Sequence, residues 1–317
     1  MIRHSPTFAL FVVATIGTAV QADTPSRITD HGEYRLPRTN DLALRSKAGR
    51  DYRLLISSPE GEPPEAGFPV LYVLDANSCF GTVVEAQRLQ VRRGQTTGIT
   101  PAVIVGIGYP GDGPFDPGRR TYDLTTPGEA GKLPRRPDGS PWPASGGADE
   151  FLDFIENEVK PLVESRVQID RSRQAIFGHS FGGLFVLHAM FNRPEAFHSY
   201  IAASPSVWWN DFALQKAEER FAKRCAQSPV RLRLRVTTGE LEKNSGPTAR
   251  LAPTAASTGF GSTEDMAMRL QKLADRGVRV EFHEYPGENH GSVLPVALNH
   301  GLRFALTSET RDGPKRE

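Results

Sequence analysis

The amino-acid sequence predicts an α/β protein with a mostly parallel central sheet and helices on both faces. Continuous apolar runs, such as those at residues 69–74 and 102–108, are typical of strands that are covered on both faces. These runs alternate with helical patterns along the chain. Such alternation favours parallel strands joined by crossover helices that pack on either side of the sheet.

The elements follow one another in a simple order. Residues 42–46 and 52–56 predict an opening antiparallel pair, and residues 79–91 can form a crossover helix between the two apolar runs. Residues 149–163 carry apolar side chains at helical spacing, with acids in the first turn, and predict a helix with one buried face. Further strands are predicted at residues 174–177, 198–203, 230–236 and 278–285, and further helices at 181–191, 212–224, 262–275 and 293–305.

Composition excludes several classes of protein. The 317 residues include 38 basic and 37 acidic side chains, so the chain offers no basic footprint for nucleic acid and is no disordered polyelectrolyte. Two cysteines exclude a disulfide scaffold and a structural zinc cluster. No long apolar run follows the N-terminal segment, and we expect no stable insertion into a membrane.

Residues 1–22 have the pattern of a secretory signal peptide. Arg3 provides a basic start, residues 8–20 are mainly apolar, and Ala22 is a small residue suited to cleavage. The apolar run is too short for a helix that spans the membrane. The alternative to a cleaved signal peptide is an N-terminus that stays as a membrane anchor. We expect one mature domain, residues 23–317, in the periplasm or secreted. Export would permit a disulfide between Cys79 and Cys225, which the sequence leaves open.

Glycine and proline are concentrated in residues 110–147, where they occupy 16 of 38 positions. This segment follows the predicted strand at residues 102–108, and open α/β sheets bind ligands at the carboxyl ends of their strands. A loop of this length is usually functional or disordered. We interpret it as a lid or substrate loop; the alternative is an insertion without a function.

The sequence GHSFGG at residues 178–183 lies between a predicted strand and a predicted helix, as a nucleophile elbow requires. The sharp turn should strain the backbone of Ser180 and leave no room for side chains at positions 178 and 182. The amide of Phe181, in the first turn of the helix, has no helical partner and can bind an oxyanion. Ser180 is the predicted nucleophile; the alternative is a tight turn that only packs a helix on a strand.

A serine nucleophile needs a general base within hydrogen-bonding reach. Of the eight histidines, only His290 falls in a loop just after a late strand, at the sheet edge that carries Ser180. It is the predicted base, and a structural loop histidine is the alternative. The acid should come between them, and the loop after residues 230–236 offers Glu240 and Glu242. We favour Glu242, which would hold the imidazole tautomer; both acids could instead be solvated.

The oxyanion hole needs a second donor, for which the amides of Ala76 and Asn77 are candidates because they follow the strand at residues 69–74. Trp208 and Trp209 follow another strand at the same edge and could line a pocket. Arginine pairs in or before the long loop could clamp an anionic ligand, or be ordinary solvated charges; they stand at residues 92–93, 119–120 and 135–136.

Six motifs occur together in one order, and they resemble the esterase family of the α/β-hydrolase fold that contains the ferric-siderophore esterases of the enterobactin and salmochelin type. The motifs are LYVLDAN (71–77), RRTYDLT (119–125), GHSFGGLFVLHAMF (178–191), AASPSVWWN (202–210), GELE (239–242) and ENHGSVLPVAL (288–298). The resemblance implies Ser180 as nucleophile, His290 as base and Glu242 as third member. Ala76 departs from the family, where glycine is common.

The resemblance also implies a substrate with catecholate arms on a lactone of serine esters, and Arg119, Trp208 and Trp209 match positions suited to such a ligand. The leading hypothesis is therefore a periplasmic serine esterase that acts on a small-molecule ester and needs no metal or organic cofactor, since iron would arrive with the substrate. One alternative is a general carboxyl- or feruloyl-type esterase. The other is a hydrolase-fold protein that binds a ligand without catalysis.

Overall fold

The computed structural model describes residues 29–30, 32–129, 131–136, 138–244 and 260–307. By its internal contacts the chain divides into two units, Met1–Arg35 and Leu36–Glu317. The described part of the first unit holds no helix or strand. The predicted signal peptide, residues 1–22, lies outside the described residues. The fold is therefore a property of the second unit.

The strands of the described residues form one eight-stranded sheet, in the order β1-β2-β4-β3-β5-β6-β7-β8. Strands β1 and β2 form the predicted antiparallel pair, β2 joins β4 antiparallel, and the remaining pairs are all parallel. The strands are β1 (Thr39–Arg45), β2 (Asp51–Ser57), β3 (Phe68–Leu74), β4 (Val103–Gly108), β5 (Ile169–His179), β6 (Ser199–Ala203), β7 (Leu232–Gly239) and β8 (Val278–Tyr285). The predicted α/β class is confirmed.

Most of the helices also follow the predicted order. The helix expected at residues 149–163 contains a π-helical turn, Ile155–Val159, which separates α4 from α5. The helices are α1 (Ala76–Val91), α2 (Gly94–Thr97), α3 (Pro117–Leu124), α4 (Ala148–Phe154), α5 (Lys160–Glu164), α6 (Phe181–Asn192), α7 (Trp209–Phe212), α8 (Leu214–Gln227), α9 (Thr263–Gln271) and α10 (Val293–Leu306). In the described part of the chain, no helix is long and apolar enough to cross a membrane.

The sheet separates two apolar layers. Because side chains alternate along a strand, Tyr72 and Leu74 of β3 face the layer that contains α4, α6, α8 and α9, whereas Leu71 and Val73 face the layer that contains α1 and α10. Every residue of β3 is buried as a result. This double coverage explains why the strand is continuously apolar in sequence.

The two cysteines belong to different layers. Cys79 of α1 lies in one apolar cluster and Cys225 of α8 lies in the other, so the sheet stands between them. Both are buried and free. The disulfide that the sequence left open is therefore not formed in this structure.

The Gly/Pro-rich segment, residues 110–147, is not a structureless loop, because it contains α3 and folds back on itself. The side chain of Asn77 fixes its start: Nδ2 donates to the carbonyls of Tyr109 and Gly111 at 3.0 Å each, and Oδ1 accepts from the Tyr109 amide at 2.9 Å. Near its end, the Gly146 amide donates to the carbonyl of Thr125 at 3.1 Å. The Asn77 contacts attach the segment to the sheet edge where β3 and β4 end, and the Gly146 contact closes the segment on itself.

Candidate active site

Ser180 occupies a strained turn between β5 and α6. Its backbone angles are φ 60° and ψ −117°, in a region that residues other than glycine rarely adopt. Its amide donates to the Ala203 carbonyl at 3.0 Å, and its carbonyl accepts from the Leu184 amide at 2.9 Å. The expected strain at Ser180 is thus present and is held by hydrogen bonds on both sides.

The glycines around Ser180 differ in the space that the structure leaves for a side chain. A Cβ at Gly178 would lie 2.2 Å from the carbonyl oxygen of Gly182, and one at Gly183 would lie 2.9 Å from that of Ala203. At Gly182 the nearest atoms would be 3.6 Å away, which is ordinary contact. The expectation for Gly178 agrees with the structure, but that for Gly182 was wrong: a Cβ there would make only ordinary contacts with the side chains of Leu74 and Asp75. Gly183 is the glycine that packs against backbone.

Three of the predicted residues form a continuous line of hydrogen bonds. Nε2 of His290 lies 3.1 Å from Oγ of Ser180, and Nδ1 of His290 lies 2.8 Å from Oε2 of Glu242. They follow β5, β7 and β8, whose carboxyl ends meet at one edge of the sheet. A histidine within hydrogen-bonding distance of both groups can take a proton from the serine while the carboxylate orients the imidazole ring.

Glu242 is held in place from the side opposite His290. Its Oε1 accepts from the hydroxyl of Ser204 at 2.6 Å and from the amide of Gly239 at 2.7 Å. Burial works to raise the pKa of Glu242, but the hydrogen bonds from His290, Ser204 and Gly239 outweigh it and hold the pKa below its usual range. Glu240 instead accepts from the Gly287 amide at 2.8 Å and is exposed. The structure therefore brings Glu242, and not Glu240, to His290.

His179 packs against the candidate base. Its ring centroid lies 4.7 Å from that of His290, and its Nε2 atom is buried without a hydrogen-bond partner among the described residues. Burial, helped by the neighbouring His290, lowers the pKa of His179 to about 3. His179 is therefore an uncharged neighbour of His290 at neutral pH.

The predicted oxyanion donors lie at the starts of two helices. Phe181 is the first residue of α6, and Ala76 and Asn77 are the first two of α1. The first amides of a helix have no intrahelical acceptor and carry a partial positive charge. Because β3 and β5 are neighbours in the sheet, both helices start at the edge that carries Ser180. The two N-termini are therefore suited to hold a developing oxyanion.

A cavity of about 630 Å³ opens over Ser180 and His290. Much of its wall comes from the Gly/Pro-rich segment, which supplies Pro114, Phe115, Pro117, Arg120, Thr121, Arg136, Trp142 and Pro143. The described residues that line it include two arginines and no carboxylate. No group of three or more His, Cys, Asp or Glu side chains among the described residues could hold a metal ion.

The structure places Arg119 outside this cavity. Its guanidinium lies 4.9 Å from the centroid of the Tyr52 ring, Nη1 donates to the Asp51 carbonyl at 3.0 Å, and Nη2 is 3.6 Å from Oδ2 of Asp123. The neighbouring Arg120 lines the cavity instead. Both belong to the arginine pair at residues 119–120, so the sequence signal was present but did not distinguish its two members.

The two predicted tryptophans lie behind the cavity wall. Trp208 and Trp209 are 6% and 1% exposed, and their rings lie 5.9 and 5.2 Å from that of Phe181. Trp142, which the sequence reasoning missed, lines the cavity and packs 5.8 and 5.3 Å from the same two tryptophans. In this structure Trp208 and Trp209 support the wall that Trp142 and Phe181 present to a ligand.

Comparison with known proteins agrees with this geometry. The model of the esterase family, described as "Putative esterase", matches residues 46–304. The chain is 44% identical over 282 residues to the ferri-bacillibactin esterase BesA of Bacillus subtilis, covering 89% of this chain and 93% of that protein. It is 38% identical over 279 residues to the siderophore enterobactin esterase of Emericella nidulans, covering 82% and 91%.

A solved structure is also similar. The BES protein from Bacillus cereus shares 36% identity and a TM-score of 0.78, covering 88% of this chain and 100% of that one. The family match spans most of the chain, and the fold and the order of the elements agree with it. The chain therefore belongs to the esterase family, has the α/β-hydrolase fold, and is a serine hydrolase that acts on carboxylic esters.

Proposed function

We propose that this esterase hydrolyses the ester bonds of a ferric catecholate siderophore, with Ser180 as the nucleophile. The observation that carries the proposal is the hydrogen-bonded line from Glu242 through His290 to Ser180, which opens into the cavity lined by aromatic rings and two arginines. The relatives named as ferri-bacillibactin, enterobactin and apo-salmochelin esterases support the choice of substrate.

The chemistry follows from the positions of the side chains. Nε2 of His290, 3.1 Å from Ser180 Oγ, takes the hydroxyl proton as the oxygen attacks the ester carbonyl. The tetrahedral oxyanion is held by the Phe181 amide and by a second amide at the start of α1, that of Ala76 or Asn77. His290 then protonates the leaving alcohol, and an acyl group remains on Ser180. Water, deprotonated by His290, releases the acid and restores the serine.

Glu242 acts through the imidazole. Its contact with Nδ1 of His290 keeps the proton on that nitrogen and leaves Nε2 free to accept the serine proton. The same carboxylate stabilises the imidazolium that forms during each half of the reaction. It keeps its own charge, because three hydrogen bonds favour the ionised form.

The cavity suits an anionic, aromatic ligand. Phe115, Phe181 and Trp142 present ring surface, and the guanidinium groups of Arg120 and Arg136 stand beside these rings. Planar cations on aromatic faces attract both the charge and the rings of a catecholate. About 630 Å³ accommodates a small-molecule-sized group, so we propose that one arm of the siderophore enters at a time.

Mass spectrometry of ferric enterobactin incubated with the protein tests the proposal. We expect the cyclic triester to gain water and open to the linear trimer, and Ser180→Ala to leave it intact. Hydrolysis of simple aryl esters with no effect on the ferric siderophore would instead indicate a general carboxyl- or feruloyl-type esterase. Failure of a fluorophosphonate probe to label Ser180, with no ester cleaved, would indicate a protein that only binds its ligand.

We also propose that residues 1–22 are removed on export and that the mature chain works in the periplasm or outside the cell. The basic, apolar and small-residue pattern of this segment supports the proposal. The intact mass of protein recovered from the periplasmic fraction tests it. We expect a chain that starts at Asp23; a chain that keeps Met1 and stays with membranes would indicate a retained anchor.

A further inference from the structure

Asp75 stands at the cap position of α1 but does not cap the helix. Aspartate is among the preferred capping residues, because its carboxylate normally accepts from the second or third amide of the helix. Here the side chain makes no such bond, and the backbone of Asp75 is left-handed (φ 51°, ψ 42°) instead of the extended conformation typical of a capping residue. Both of its oxygens accept from Arg120 instead: Nε donates to Oδ1 at 3.0 Å and Nη2 donates to Oδ2 at 2.8 Å.

This ion pair lies beside the nucleophile elbow. The side chains of Asp75 and Arg120 are 7% and 14% exposed. Oδ2 of Asp75 is 3.6 Å from the point that a Cβ of Gly182 would occupy, and the Arg120 guanidinium lies 5.3 Å from the centroid of the Phe181 ring. The pair therefore joins α3, the start of α1 and the start of α6.

The alternative position of the carboxylate would harm catalysis. If the backbone of Asp75 relaxed to the extended conformation of a capping residue, its carboxylate would accept from the amide of Asn77; the amide of Ser78 already donates to the Asp75 carbonyl at 3.0 Å. The carboxylate would then occupy a donor that the oxyanion needs and place a negative charge next to the negative charge that develops on the substrate. Arg120 holds both carboxylate oxygens with a planar, bidentate contact, which keeps the carboxylate off the amides of Ala76 and Asn77.

We propose that Arg120 is a positioning residue that keeps the Asp75 carboxylate away from the oxyanion-binding amides of α1. Because Arg120 belongs to the Gly/Pro-rich segment, the same contact couples the substrate-binding wall to the oxyanion hole. The proposal rests on the proposed function, in that Ser180 forms a tetrahedral adduct whose oxygen is held at α1.

Kinetics of Arg120→Gln, Asp75→Ala and the double variant test the proposal on p-nitrophenyl acetate, an ester too small to depend on distant contacts. We expect Arg120→Gln to lower kcat by roughly 10²- to 10³-fold, the loss typical of a missing oxyanion donor, with KM changed far less. The double variant should recover at least about tenfold of that loss, because no carboxylate remains to cap α1. A double variant as slow as Arg120→Gln, or slower, would overturn the proposal.

A second measurement separates positioning from a general loss of structure. Phenylboronic acid forms a tetrahedral adduct on a serine nucleophile, so its inhibition constant should rise in Arg120→Gln by about the same factor as kcat falls. Arg120→Lys keeps the charge but not the bidentate contact, so its kcat and its inhibition constant should lie between those of the parent and Arg120→Gln. This variant replaces Arg120→Gln in the test if the glutamine variant does not fold. If phenylboronic acid inhibits Arg120→Gln and Arg120→Lys with the same inhibition constant as the parent, the proposal is contradicted.

The parent and Ser180→Ala distinguish the two levels of inference. A parent without Ser180-dependent turnover would overturn the proposed function and the positioning role together. Ser180-dependent turnover in the parent, without recovery in the double variant, would overturn the positioning role alone.

Discussion

Nδ1 of His290 lies 2.8 Å from Oε2 of Glu242, whereas Glu240, two residues earlier, accepts from the Gly287 amide on the exposed side of the same turn. The short helical turn Glu240–Asn244 separates the two carboxylates and sends them in different directions. Only Glu242 is buried. The two glutamates therefore offer a matched pair of substitutions.

We expect Glu242→Gln to lower kcat by roughly 10³- to 10⁴-fold. The amide group can donate to Nδ1 and favour the wrong imidazole tautomer, which is the effect known for serine hydrolases whose acid is made an amide. Glu240→Gln keeps an oxygen for the Gly287 amide and should stay within about twofold of the parent, since single neutral contacts at exposed sites contribute little. Steady-state kinetics on p-nitrophenyl butyrate measures both. Near-parental turnover by Glu242→Gln would show that Ser180 and His290 suffice.

His179 should leave no trace in the pH profile of the reaction. Burial and the neighbouring His290 lower the pKa of His179 to about 3, so His179 is uncharged above about pH 4. Protonation of His179 should therefore add nothing to the slope of the acid limb of log kcat/KM above about pH 4. The same slope is expected in His179→Gln. A slope of two in the parent that becomes one in the variant would contradict this assignment.

Asp123 should make the protein less stable as pH rises. Burial raises its pKa to about 6, although Arg119 opposes the shift. Since the unfolded carboxyl has a pKa near 3.9, the folded state binds the proton more tightly, and this stabilisation is present below about pH 4 and lost through pH 6. We expect the free energy of unfolding of the parent to fall by up to about 3 kcal/mol relative to Asp123→Asn between pH 4 and pH 7.

Urea unfolding of both proteins at several pH values measures this difference. Glu62→Gln, a substitution at an exposed acid, is the control and should follow the parent at every pH. Parallel pH profiles for the parent and Asp123→Asn would show that Asp123 is ionised in the folded protein throughout this range.

The order of the elements and three of the site residues could be predicted from the sequence for a simple reason. A doubly covered strand must be continuously apolar, and the carboxyl ends of parallel strands must meet at one edge. These two constraints alone bring Ser180, His290 and one of two glutamates together. They act through chain order and burial, both of which are visible in the sequence.

The pocket wall could not be predicted in the same way. Adjacent residues on a helix point about 100° apart, so the choice between Arg119 and Arg120 depends on how α3 rotates against its neighbours. Tyr52 and Asp123 attract Arg119 to the far side, and no local pattern reports that contact. In the same way, the tryptophan pair was placed at the correct edge, but only packing decides which ring faces the ligand.

Phe115 should contribute to the choice of substrate. It is 43% exposed and lines the cavity within the Gly/Pro-rich segment. We expect Phe115→Ala to raise KM for ferric enterobactin about tenfold, because burying part of an aromatic ring contributes about 1.4 kcal/mol to binding. Turnover of p-nitrophenyl acetate should change less than about twofold, since a small ester does not reach the ring.

Leu89→Ala is the matched control for this prediction. Leu89 is 71% exposed on α1 and does not line the active-site cavity, so its truncation should leave both reactions unchanged. If Phe115→Ala loses activity equally on ferric enterobactin and on p-nitrophenyl acetate, the ring stabilises the nucleophile elbow and does not contact the ligand.

The glycines of the elbow should respond unequally to alanine. Gly178→Ala would place a methyl group 2.2 Å from the Gly182 carbonyl oxygen, and neither backbone can move without displacing β5 or α6. We expect at least about 3 kcal/mol of destabilisation, the upper range for overpacking. Gly182→Ala finds ordinary contacts and gains helix propensity, so its stability should equal or exceed that of the parent by up to about 1 kcal/mol. Urea unfolding compares the two. Equal losses would mean that the turn requires glycine for its backbone conformation rather than for the space around each Cα.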